Sequence, residues 1–165
     1  MLTNEANKGL QASVDGFAHE HIVVGILMKK FQNVSLVDLP LSPYDIIIAL
    51  KNEDKETIIR AQVKTSQKSI SFTGGTRGGV DRTYKSDVKT YTQSTKTSDV
   101  IIGVKALEDC GFDLYFIPTI LVEMLSPQKS ISLNKVQLFK NNYEILKRCY
   151  DREYIHEFAH KCGLV

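Results

Sequence analysis

Apolar residues Leu10, Val14, Phe17, Val24, Leu27 and Phe31 recur at intervals of three, four and seven, the period of a helix with one buried stripe. The spacing predicts a helix that starts on a Thr3 or Asn4 cap and runs to about Lys30. Glu5 falls in its opening turn, where a carboxylate favours the positive end of the helix dipole. The period then changes. Residues 34–39 (VSLVDL), 44–50 (YDIIIAL) and 57–65 (TIIRAQVKT) are rich in β-branched side chains and read as strands, with the charged KNEDKE as a solvated hairpin loop. SISFT at 69–73 is a short alternating strand at an edge, and GGTRGG at 74–79 is a loop. Residues 84–96 are polar and suit a short surface helix. DVIIGVKAL (99–107) and DLYFIPTILV (113–122) are further strands, the first central, with Pro118 placing its segment at an edge or bulge. From Ser132, LNKVQLFKNNYEILKRCY predicts helix with a break at Asn141-Asn142. Helix, strands, loop, strands, helices describe an α/β domain with a central mixed β-sheet flanked by helices.

With 165 residues, the chain fits one domain, a core over about 4–122 and a helical segment over about 132–162. A chain of this length buries roughly 70% of its extended surface, enough for a core without disulfides. The longest apolar run falls short of the ~18 to 20 residues of a membrane span. MLTNEANKGL lacks the basic start and apolar run of a secretory signal. Cys110, Cys149 and Cys162 form no CxxC pair and read as reduced thiols, which places the protein in the cytoplasm.

The polar residues that interrupt the strands carry the chemistry. Asp45 stands at the mouth of YDIIIAL, just after Pro43 and Tyr44. Gln62 and Lys64 lie two apart on the next strand, so their side chains share a face. Glu20 sits on the helix's apolar stripe, where a carboxylate loses hydration and needs a partner. The plain alternative is a Glu20 that salt-bridges a lysine beside the stripe. Two carboxylates, an amide and a lysine converging on one sheet end suit metal-assisted phosphodiester hydrolysis. Asp45 and Glu20 offer hard oxygens to Mg²⁺, with Mn²⁺ as substitute, and Lys64 would orient water or balance charge on the phosphorane.

The runs S-P-Y-D-I-I-I and I-I-R-A-Q-V-K-T-S resemble the PD-(D/E)xK (restriction endonuclease-like) nuclease superfamily. They are most similar to its small group I intron-associated endonucleases, whose third motif is often QVKT. The resemblance covers about residues 14–68, extending weakly through YFIP to about 122. It implies an α/β core, Mg²⁺-dependent cleavage of double-stranded DNA and a homo-oligomeric enzyme, whether in intron homing, restriction or repair. It also implies Glu20 as the helix glutamate, Asp45 as the metal aspartate, Gln62 and Lys64 as the x-Lys pair, with Gln62 a supporting metal ligand through its amide oxygen and Lys64 the catalytic lysine, and the Val63 carbonyl as a further metal ligand. Gln62 departs from the family's acidic residue, which lowers the site's charge and leaves a non-catalytic DNA-binding protein as the alternative.

The net charge of the chain is only +2, but eight basic residues against two acidic ones between Arg60 and Lys96 make that segment +6 and the remainder −4. Lys68, Arg77, Arg82, Lys85 and Lys89, interleaved with hydroxyl and amide groups such as Thr65, Ser66 and Gln67, suit phosphate contacts. A solvated loop is the plain alternative. The tail also contains His156-Glu157-Phe158-Ala159-His160, an HExxH pattern that would place two imidazoles one turn apart on a helix, as in a zinc metallopeptidase. Only five residues follow it, too few for the usual third ligand, so a surface helix is the default. Replacing Arg77, Arg82 and Lys85 together by Ala is expected to weaken DNA affinity and flatten its salt dependence, read from binding isotherms across a salt series. An unchanged slope would remove the segment from the DNA-binding face.

Overall fold

The computed structural model describes residues 4–39, 42–52, 55–75 and 90–165. Helix α1 spans Asn4–Phe31 and lies across the first three strands of the main sheet. Its stripe is buried only in the second half, where Val23 and Leu27 are fully enclosed. Leu10, Val14 and Phe17, expected in the core, are 54%, 54% and 65% exposed. Length explains the difference: 28 residues of helix extend about 42 Å, whereas a seven-residue strand spans about 23 Å, so the first turns overhang the sheet.

The main sheet contains β1 (Val34–Leu36), β2 (Ile46–Asn52), β3 (Lys55–Thr65), β7 (Val100–Ala106) and β8 (Phe112–Pro118), in the order β1-β2-β3-β7-β8. Only the β3–β7 pair is parallel, so the sheet is mixed, as the sequence predicts. Several boundaries differ. The strand expected over 34–39 ends at Leu36, and most of the expected 51–56 loop is paired strand, Lys51 opposite Glu56 and Asn52 opposite Lys55. β7 is internal, because β8 adds outside it, and β3 stands in the middle of the five. Pro118 ends edge strand β8, and the chain turns at once into helix α2 (Thr119–Met124), which replaces the strand expected to continue to 122.

Two small sheets complete the fold. β4 (Ser69–Ser71) pairs with β9 (Ser130–Ser132), and β5 (Thr73–Gly74) pairs with β6 (Tyr91–Thr92). The surface helix expected over 84–96 is therefore a strand at 91–92 and a turn at 95–97, with 84–89 outside the described residues. After β9 come a 3-10 turn (Leu133–Phe139), α3 (Tyr143–Lys147) and α4 (Arg152–Lys161). The predicted break holds: Asn141 takes a left-handed φ of 51°, and its Oδ1 accepts from Leu114 N at 2.9 Å.

Val100–Val104 are buried throughout, so β7 is covered on both faces. Gly103 lets β4 approach: a Cβ there would meet Ile70 Cδ1 and Cγ1 at 2.7 Å and Ser66 Oγ at 3.2 Å, both side chains buried. Gly103→Ala is expected to lower stability by about 1–3 kcal/mol through overpacking. The urea unfolding midpoint reads this directly, and an unshifted midpoint would mean that Ile70 yields freely.

Candidate functional site

In a strand, the N–H and C=O of one residue point to the same side. Ile46 pairs with Ala61, and Asp45 N still donates to Ala61 O at 2.9 Å. β3 continues beyond that point, so Val63 faces the side on which β2 has already begun. The Asp45 side chain fills the gap: its Oδ2 accepts from Val63 N at 2.7 Å and from Gln62 Nε2. The Val63 carbonyl takes only a long contact from Gln62 Nε2, at 3.3 Å. Asp45, Gln62, Val63 and Lys64, singled out in the sequence, therefore meet at one end of the β2–β3 pair.

Asp45 is largely buried, and burial raises its carboxyl above the aspartate range despite the Val63 and Gln62 hydrogen bonds and nearby Lys64. Glu20 reaches the same region from α1: burial first, then the charge of Asp45, push its carboxyl up to about 7. Lys64 is drawn below the lysine range by burial, opposed by the charges of Asp45 and Glu20. Among the described residues neither carboxylate takes part in an ion pair within 4.0 Å. Lys64 thus senses both carboxylates without neutralising either.

A third segment completes the site, and sequence reasoning missed it. Buried Gln93 donates from Nε2 to Pro43 O at 3.1 Å and to Gln62 Oε1 at 3.2 Å. The neighbouring Tyr91 phenol is raised above the tyrosine range by burial and then by Asp45. Gly74 makes room for that ring, since a Cβ there would lie 2.8 Å from Tyr91 Cζ. The signal was present in Thr90-Tyr91-Thr92, a β-prone run inside a stretch whose polarity suggested surface helix.

The other predicted residues are less concentrated. Lys68 is exposed, while Arg77, Arg82, Lys85 and Lys89 lie outside the described residues. Arg60, counted in the basic segment, is tied to Asp99 by a 2.8 Å ion pair and to Thr95 O at 2.9 Å. Ser66 is buried, and the exposed Thr65 spends one hydrogen bond of its hydroxyl on His19 Nδ1, at 2.8 Å. His156, Glu157 and His160 are all exposed on α4, and no group of three or more His, Cys, Asp or Glu suited to a metal occurs among the described residues. A cavity of about 470 Å³ lined by Lys30, Lys51, Lys147 and Arg148 opens at the far end of the β2–β3 hairpin and includes none of the site residues. No helix among the described residues is long and apolar enough to cross a membrane.

No family model matches the chain, and no curated protein does. Among solved structures it is similar to I-Ssp6803I, a bacterial homing endonuclease, with a TM-score of 0.50 and 15% identity. The match covers 73% of this chain and 76% of that one, and the likeness is one of fold.

Folding raises the Glu20 carboxyl from its ordinary value of 4.5 to about 7, so the protonated form is the one the fold favours. The stability this contributes is fully present below the unfolded-state value and is lost as pH rises through the folded-state value. In metal-free protein, Glu20→Gln is expected to melt above wild type at about pH 8, the gap closing by about pH 4.5. Thermal unfolding across that range checks it; a pH-independent gap would show that Glu20 is not held in the site.

Proposed function

We propose that this chain is a divalent-cation-dependent DNA endonuclease of the PD-(D/E)xK kind, with the glutamine variant of the third motif. The observation that carries the reading is the meeting of Asp45, Glu20, Val63 and Lys64 at the end of the β2–β3 pair. The likeness of fold to a homing endonuclease supports it and makes homing the favoured setting.

The residues fit a hard cation. Two partly buried carboxylates share a region with no ion-paired partner among the described residues, and burial makes each hold its proton more tightly than usual. Both hydrogen bonds to the Asp45 carboxylate from the described residues fall on Oδ2, and Oδ1 takes none. Asp45 Oδ1, the Glu20 carboxylate and the Val63 carbonyl would hold Mg²⁺, or Mn²⁺ in its place, with water completing the shell. When bound, the cation supplies charge stabilisation at the scissile phosphate and a water more readily deprotonated than bulk water. Lys64, lowered by burial, would orient the attacking water and offset charge on the phosphorane. Exposed Lys68 and the basic residues after β5 would contact the phosphate backbone of double-stranded DNA. A chain with one such site cuts both strands as a homodimer or larger assembly.

A second reading rests on Gln62, whose amide leaves the site two carboxylates in place of three: a protein that binds DNA without cutting it. The exposed HExxH histidines, with no third ligand near them among the described residues, do not carry a zinc peptidase. Purified protein incubated with supercoiled plasmid separates the two readings. Metal-dependent nicking or linearisation is expected with Mg²⁺ or Mn²⁺, falling about 100-fold or more in Lys64→Ala. Tight binding without cleavage would select the second reading.

A further inference from the structure

Gln93 is 1% exposed, and its two amide atoms face chemically different partners. On one side Oε1 accepts from Thr97 Oγ1 and from Ser98 Oγ, the latter at 3.0 Å. On the other, Nε2 faces Pro43 O at 3.1 Å. A peptide carbonyl only accepts, so the atom opposite Pro43 must be the nitrogen.

With its orientation set, Gln93 dictates that of Gln62. The Gln62 atom it faces at 3.2 Å must accept and is therefore Oε1. Gln62 Nε2 is left facing Asp45 Oδ2 and Val63 O, again groups that accept when the carboxyl is ionised. Constraints from both ends of the Gln93–Gln62–Asp45 chain agree on one arrangement. We infer that Gln93 is a positioning residue that locks Gln62 as an N–H donor to Asp45, so that Gln62 serves the site by holding this carboxylate and not by giving its oxygen to the cation.

This deepens the nuclease reading and rests on it for its functional consequence. Gln62 and Val63 N together fix Asp45 through Oδ2 and leave Oδ1 without a bond from the described residues, so that Asp45 and Glu20 would be the side chains that hold the cation. Gln93 does for Asp45, through one intervening amide, what an outer-shell hydrogen bond does for a metal ligand.

The test is the Gln62 side-chain amide in ¹⁵N-labelled full-length protein, with and without saturating Mg²⁺. In both states its two protons are expected to show cross-relaxation to the Val63 and Asp45 side of the site, with one proton slowed in exchange. Cross-relaxation to Gln93 in either state, meaning a reversed amide, would overturn the proposal. Gln93→Leu is expected to release the Gln62 amide into fast exchange, weaken Mn²⁺ binding in calorimetry about 10- to 100-fold, and lower kcat with little change in DNA affinity. Unaltered Gln62 signals in that variant would also overturn it. Thr97→Val, a milder change that removes one hydroxyl from Gln93 Oε1, is expected to move the same signals in the same direction, and decides the matter if Gln93→Leu does not fold. A wild-type protein that neither binds Mg²⁺ nor cuts plasmid would end the nuclease reading alone, since the amide orientation is read in metal-free protein.

Discussion

The hydrogen bond from Val63 N–H to the Asp45 carboxylate, at 2.7 Å, is the interaction on which the site depends. It arises because β3 outruns β2: the 11-residue central strand continues where its partner has only begun, and leaves main-chain groups on a buried edge. A buried N–H without a partner costs about 1–3 kcal/mol, so the side chain at position 45 has a structural task apart from chemistry. A carboxylate performs it and is thereby drawn into a partly buried position with a raised proton affinity. Sheet geometry thus sets both the position and the electrostatic state of the residue.

Glu20 and Lys64 follow from the same edge. Lys64 adjoins Val63 on β3, and α1 crosses β3 where Thr65 meets His19, the residue before Glu20. Burial raises the proton affinity of both carboxylates, the charge of Asp45 raises that of Glu20 further, and the single lysine near them is itself drawn down by burial. A fold selected for stability alone would replace this trio with apolar side chains or close it with an ion pair. Keeping the carboxylates without an ion-paired partner costs stability, a cost that the proposed cation would offset.

Much of this was legible in the sequence because it rests on local signals. The β-branched runs and the helical stripe gave the elements, and Asp45, Gln62 and Lys64 stood out as polar interruptions of apolar strands. What was not legible depends on partners distant in the chain. The stripe of α1 continues through Leu10, Val14 and Phe17, but whether a sheet lies beneath them is set by strand length, not by the helix. TILV after Pro118 has strand propensity; its conversion to α2 accompanies the pairing of Thr119 Oγ1 with Ser98 O at 2.7 Å, 21 residues away. Arg60 counts toward the +6 segment, but Asp99, 39 residues on, claims it.

Gln93 marks the limit of such reading most clearly. Nothing about a glutamine in a polar stretch predicts burial, and here it depends on three separate tethers. Its backbone N–H bonds Phe72 O at 2.7 Å, Thr97 and Ser98 hold its oxygen, and the Arg60–Asp99 pair with the Thr95 carbonyl fastens the following turn to β3. Arg60 thus belongs to the site's support, although it touches neither carboxylate. It anchors the segment that holds Gln93, which orients Gln62, which in turn bonds Asp45. A polar chain of this kind stays ordered only while each member is satisfied, and among the described residues no buried side-chain polar atom lacks a partner. The +6 segment that suggested a DNA-binding face therefore combines two tasks: part of it reaches solvent, as Lys68 does, and part has turned inward to build the wall against which the Asp45 carboxylate is held.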